Sequence, residues 1–248
     1  MCGRFTLAYR ERERLAEELG VNVEQIPAAE YRPRYNIAPT DAHWIVRLRY
    51  EDRQVLPARW GLVNSWAKDA KRAAAQINAR AETLASAHAF RDAFVKRRCA
   101  VPADGFFEWV GPSTGSGRGA GASRQPIWFH RSDGGLILFA GLYESWQPQP
   151  GQWQRTFTIV TTEPNAVVSP IHDRMPVILP DDVVDLWLDP REENEERLGS
   201  LLRPAAEDVL IATPVSPRVN SVKNDDAACL EPVDASGGQL DGGQARLL

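Results

Sequence analysis

The sequence predicts a fold of mixed strands and helices in one domain spanning residues 1–230, and three observations lead there. Strand-like and helix-like stretches are mixed along the chain without the regular strand–helix–strand alternation of a parallel sheet. With 248 residues, 43% of them apolar, the chain is long enough to bury one substantial core. The three cysteines, Cys2, Cys99 and Cys229, are odd in number and have no CxxC spacing, so neither a disulfide framework nor a zinc site replaces that core. This cysteine usage fits a reducing cytoplasm.

The elements follow in order. "MCGRFTL" opens a strand: Phe5 and Leu7 alternate with Arg4 and Thr6, and Gly3 permits a close backbone approach. "RERERLAEELG" is a helix with Leu15 and Leu19 on one face and Gly20 as its C-terminal stop. "HWIVRLRY" alternates as a strand. "ETLASAHAFRDAFVKRR" carries Leu84, Ala87, Phe90 and Phe94 at helical spacing, and "RCAVPADGFFEWV" follows as two short strands forming a hairpin about a Pro-Ala-Asp-Gly turn. "PIWFH", "GLILFAGLY" and "RTFTIVTT" are further strands, and "DDVVDLWL" and "REENEERLGSLL" are helices. The Gly/Ser-rich stretch 111–123 is expected to be a flexible insert inside a hairpin, and residues 231–248 a disordered tail.

No apolar run approaches the length of a membrane span, so a soluble protein without a membrane partner is expected. The net charge of −4 is unevenly distributed. Residues 181–208 hold 10 acids and 3 bases (−7), residues 209–248 hold 5 acids and 3 bases (−2), and residues 1–180 hold 23 bases and 18 acids (+5). A nucleic-acid partner is therefore compatible with the basic part.

Removal of Met1 would make Cys2 a 1,2-aminothiol, with an amine of pKa about 7.7–8.0 and a thiol near about 8.5. The bland alternative is a small apolar residue near a frayed end. Glu108, between Phe107 and Trp109, is placed for desolvation that would lift its carboxyl into general-acid range, unless it is an exposed strand glutamate. His172 lies beside Asp173 and Arg174 in a loop stiffened by Pro170 and Pro176. Asn78 and Arg80, two apart, share a side if extended, where an amide and a guanidinium can orient a sugar and hold a phosphate. Trp60 and Trp66 are candidates for stacking on bases, or for core packing. No pair of histidines has a metal-ligand spacing, so no metal or other cofactor is expected.

Seven stretches, in order "MCGRF", "RYNIAPT", "RWGLVNSW", "INARAET", "RCAVPADGFFEW", "IHDRMPVIL" and "VSPRVNSVKND", together resemble the SOS-response-associated peptidase (SRAP) family of abasic-site DNA-crosslinking proteins. The resemblance implies a single α+β domain whose mixed, bifurcated sheet closes partly into a small barrel flanked by helices. It implies a catalytic group of Cys2, Asn78, Glu108 and His172, with Arg4, Arg80 and Arg174 near the DNA backbone and Pro39 and Trp66 lining the groove. The implied partner is single-stranded DNA containing abasic sites, met by a monomer in the bacterial cytoplasm at the damaged nucleoid. Two features depart from the family pattern: the long Gly-rich insert before Pro126, and His88, which is left out of the site.

The chemistry so implied is attack of the Cys2 amine on the sugar aldehyde, loss of water to an imine, and closure by the thiol to a five-membered thiazolidine. Two other classes begin from the same residues. An N-terminal-nucleophile amidotransferase or peptidase would use the thiol on a carbonyl, and a non-covalent binder of modified DNA would leave Cys2 dispensable.

Overall fold

A computed structural model describes residues 2–71, 75–111 and 124–234. The strands in chain order are β1 (Phe5–Leu7), β2 (Arg34–Ile37), β3 (Ala42–Arg49), β4 (Asp52–Trp60), β5 (Asn78–Arg80), β6 (Arg98–Ala103), β7 (Gly105–Val110), β8 (Gln125–His130), β9 (Ile137–Gln149), β10 (Gln152–Thr162), β11 (Met175–Pro176) and β12 (Ile211–Pro214). The α-helices are α1 (Arg12–Leu19), α2 (Arg91–Lys96), α3 (Asp181–Leu188) and α4 (Glu195–Ser200).

Five strands close on themselves in the order β10-β4-β3-β6-β9, with β9 returning to β10, so this sheet is a small barrel. The β10–β4 pair is parallel and the other pairs of the ring are antiparallel. Strand β10 is the fork: β5 continues parallel to it beyond β4, and β11 runs antiparallel along it. A second, antiparallel sheet has the order β12-β8-β7-β1-β2. This is the α+β arrangement with a forked sheet and barrel that the family resemblance implied.

The two sheets share a core through β1. The Phe5 ring meets His43 at 4.8 Å, Trp60 at 5.0 Å and Phe139 at 6.0 Å, all edge-on. Such edge-to-face contacts are the preferred aromatic geometry. The N-terminal strand is thus anchored in barrel side chains rather than frayed. Its second face is covered as well: Thr6 is fully buried and accepts a hydrogen bond from the Trp128 indole at 3.2 Å, where simple alternation had placed it outward.

Several local expectations hold for the stated physical reason. Helix α1 buries Leu15 and Leu19 and ends at Gly20, whose φ of 66° is the left-handed conformation that favours glycine. Others change. Strands β6 and β7 are not hairpin partners: β6 pairs with β3 and β9 in the barrel, whereas β7 pairs with β1 and β8. The Asp104 carboxylate accepts from the Thr6 hydroxyl and from the Ala8 backbone amide (2.6 Å for the latter), fixing the crossing from one sheet to the other. Gly105 is required there, since a Cβ would stand 2.2 Å from the Trp128 indole nitrogen.

The helix expected over 82–98 is confined to α2, with separate turns before it, and the one expected over 191–202 to α4, which starts at the Asn194 cap. Arg98 joins α2 to α3: its buried guanidinium donates to carbonyls of Phe94, Val95, Trp187, Asp189 and Glu192.

Most of the Gly/Ser-rich insert (112–123) and of the tail (235–248) lies outside the described residues. The first tail residues differ from expectation: Val233 is buried, and its amide donates to the Pro214 carbonyl at 3.0 Å. That contact joins residues 231–234 to the domain.

Candidate active site

Four chain segments bring Cys2, Asn78, Glu108 and His172 together. Cys2 lies just before β1 with its side chain fully buried and its Sγ 3.9 Å from the Arg4 carbonyl. Asn78 opens β5 and donates from Nδ2 to the Cys2 carbonyl at 2.8 Å. Its Oδ1 is buried and accepts no hydrogen bond among the described residues. Strand β7 runs beside β1, with the Phe107 amide on the Arg4 carbonyl at 3.0 Å, and this register carries Glu108 to Cys2. His172 ends a turn closed by its amide on the Val168 carbonyl (3.0 Å) and sets its Nε2 3.8 Å from Glu108 Oε2.

Burial controls the protons here. Glu108 is 4% exposed, and desolvation raises its carboxyl to about 7. Desolvation also raises the Cys2 thiol, with the Glu108 charge adding to the effect. It lowers the His172 imidazole. Near neutral pH the thiol is therefore held protonated beside a carboxyl able to give or take a proton.

The expected phosphate ligands are placed differently from one another. Arg80 is exposed, two positions from Asn78 along the same strand. Arg4 is turned inward: its Nη1 donates to Asn36 Oδ1 (2.6 Å) and to the Val219 carbonyl (2.9 Å), and its guanidinium lies 5.6 Å from the Trp109 ring centroid. Arg174 forms a two-point pair with Glu82 at 2.7 and 2.9 Å and also donates to the Thr161 carbonyl at 2.6 Å.

Trp66 is 61% exposed, in a groove of about 490 Å³ shared with Leu62, Asn64, Lys68, Lys71 and His88. Its ring is tilted against His88 at 5.1 Å, so the residue left out of the candidate site stands directly beside one placed in it. Trp60 takes the other course open to it and is fully buried, with its indole on the Ile77 carbonyl at 2.9 Å. Pro39 is half-buried in a turn whose next residue, Thr40, has φ 76°, a strained conformation for a β-branched residue.

Sequence reasoning missed Asn36, Glu82 and Asp225. Asp225 Oδ1 accepts from the Tyr35 and Asn36 amides at 2.6 and 3.1 Å, and Asn36 Nδ2 donates to the carbonyls of Val219, Ser221 and Asn224. The stretches "YNIAPT" and "VNSVKND" are therefore bound to each other. Their polar density was a signal of that pairing.

A fused barrel and sheet with a buried thiol at position 2 beside a desolvated carboxyl and an imidazole defines a narrow class of proteins. A family model described as SOS response associated peptidase (SRAP) matches residues 1–222. The chain belongs to the SRAP family. It is 40% identical over 234 residues to abasic site processing protein YoqW of Bacillus subtilis, covering 93% of this chain and 99% of that one. It is 31% identical to abasic site processing protein HMCES of Gallus gallus, covering 94% of this chain and 78% of that one. A crystal structure of a Bacteroides thetaiotaomicron protein shares the fold, with a TM-score of 0.79, 24% identity, and coverage of 94% of this chain and all of that one.

Proposed function

We propose that this chain processes abasic sites in single-stranded DNA by forming a covalent thiazolidine through Cys2 once Met1 has been removed. The observation that carries the reading is the convergence of Cys2, Asn78, Glu108 and His172 from four separate segments, with Asn78 on the Cys2 carbonyl at 2.8 Å and Glu108 raised to about 7. The names of the YoqW and HMCES relatives point to abasic sites as the substrate.

In the proposed reaction the Cys2 amine attacks C1′ of the ring-opened deoxyribose, forming a C–N bond. Glu108 protonates the departing hydroxyl, which leaves as water, and the Glu108 carboxylate takes a proton back from the iminium nitrogen to give a neutral imine. The Cys2 sulfur then attacks the same carbon, and the thiol proton passes to the nitrogen, closing the ring with a net loss of one water. Holding amine and thiol on one residue gives the closure a high effective molarity. His172 relays protons to and from the sugar oxygen through Glu108, and Asn78 orients the sugar with its unused Oδ1.

Arg80, exposed beside Asn78, and the Trp66 groove with its lysines are the proposed contacts to the strand. Non-covalent affinity should accordingly fall as salt rises.

The test mixes the protein with an abasic single-stranded oligonucleotide and runs a denaturing gel. A shifted band is expected for the chain with a free Cys2 and none for Cys2→Ala or an N-terminally tagged form. Equal shifts for all three would refute the reading.

A further inference from the structure

His172 Nδ1 receives the Arg174 backbone N–H at 2.9 Å. A backbone amide held in place cannot turn its hydrogen away, so in the neutral ring Nδ1 is the acceptor and the proton sits on Nε2. The other groups facing the ring pull differently. Glu108 Oε2 stands 3.8 Å from Nε2, while the Asp173 carboxylate at 3.2 Å and the Arg174 carbonyl at 3.1 Å both face Nδ1 and favour a proton there. Which nitrogen carries the proton therefore depends on how firmly the Arg174 amide is held.

The chain is fixed just after Arg174 by the pairing of β11 with β10, and the Arg174 side chain is fixed as well. Its guanidinium is fixed at two points by Glu82 and at a third by the Thr161 carbonyl. Arg174 is 14% exposed and Glu82 51%, so the pair is shielded on the arginine side and open on the carboxylate side. Glu82 lies in the short turn Ala81–Thr83 that follows β5 directly, so it links the strand carrying Asn78 to the turn carrying His172.

We propose that Glu82 is a positioning residue of this site: its carboxylate clamps Arg174, which keeps the Arg174 amide on His172 Nδ1 and the imidazole proton on Nε2, facing Glu108. The effect on crosslinking rests on the proton relay proposed above; the effect on the ring does not.

The test uses full-length protein with 15N-labelled histidine, without DNA, at about pH 8, where an imidazole is neutral. The His172 nitrogens are assigned by their loss in His172→Asn. Wild type should show a bare Nδ1 and a protonated Nε2, and Glu82→Ala a mixture of tautomers or the Nδ1–H form. Glu82→Gln leaves Arg174 one acceptor oxygen and should fall between them. Crosslinking to an abasic single strand should slow by about tenfold in Glu82→Ala and less in Glu82→Gln.

Unchanged nitrogen shifts in a folded Glu82→Ala protein, or in Glu82→Gln if the alanine variant does not fold, overturn the inference. A changed tautomer with an unchanged rate upholds Glu82 as the residue that sets the ring and counts against His172 in the relay.

Discussion

Two asparagines, Asn36 buried and Asn78 half-buried, flank the N-terminal strand and are used in opposite ways. Asn36 is saturated: its Oδ1 accepts from Arg4 and its Nδ2 faces three carbonyls at 2.6–3.2 Å. Asn78 donates once, to the Cys2 carbonyl, and its buried Oδ1 accepts nothing among the described residues. A buried polar atom with all its partners made is scaffold, while one holding unused capacity is available to a ligand.

The comparison is sharpest at Asn36. Asn36→Leu removes the acceptor of Arg4 and the donor shared by three carbonyls, and should lower stability by on the order of 3–5 kcal/mol. Urea denaturation checks this. A loss below about 1 kcal/mol would mean that the network is not the scaffold described here.

Glu108 should behave in the reverse sense. Because burial lifts its folded-state pKa from 4.5 to about 7, its protonated form confers stability that is complete below about pH 4.5 and lost as pH rises through about 7. Glu108→Gln removes that dependence. At about pH 8 it should be more stable than wild type by on the order of 2–3 kcal/mol, yet slow in crosslinking. Thermal unfolding at several pH values, paired with a crosslinking time course, reads both effects; a destabilised Gln variant would make Glu108 structural.

Asn78→Leu should change stability by only about 1 kcal/mol, since one hydrogen bond is lost. It should slow crosslinking by on the order of a hundredfold, because the sugar and the Cys2 backbone lose their alignment. Equal losses of stability at Asn36 and Asn78 would erase the distinction between them.

The smallest effect is expected at the insert. Val110 and Gln125 are paired in register across β7 and β8. A short turn replacing residues 112–123 should therefore close this pair with no more than about 0.5 kcal/mol of change and unaltered crosslinking, since loop entropy varies slowly with length. Lost activity would identify the insert as part of the site.

What could be read from the sequence was local. The alternation of Phe5 and Leu7 announced an anchored strand at Cys2, Gly20 marked the end of α1, and the flanking Phe107 and Trp109 announced the desolvation of Glu108. What could not be read depended on partners remote in the chain. Strands β6 and β7 are separated by one residue but belong to different sheets, because their neighbours come from β9 and β1. Nothing local shows that Asn36 holds Arg4 or that Glu82 holds Arg174, whose place near the DNA backbone was implied by resemblance. The barrel itself came from resemblance, since ring closure between β9 and β10 leaves no periodic trace.

The central claim is that the Cys2 amine and thiol both bond to one sugar carbon. Intact mass spectrometry of the adduct with an abasic oligonucleotide tests it most directly. The expected mass is that of the protein lacking Met1 plus the oligonucleotide minus one water, with the bond mapped to Cys2 and no stable adduct from Cys2→Ala or from protein retaining Met1. A stable adduct mapping to Cys99, or one formed equally well with Met1 in place, would contradict the account.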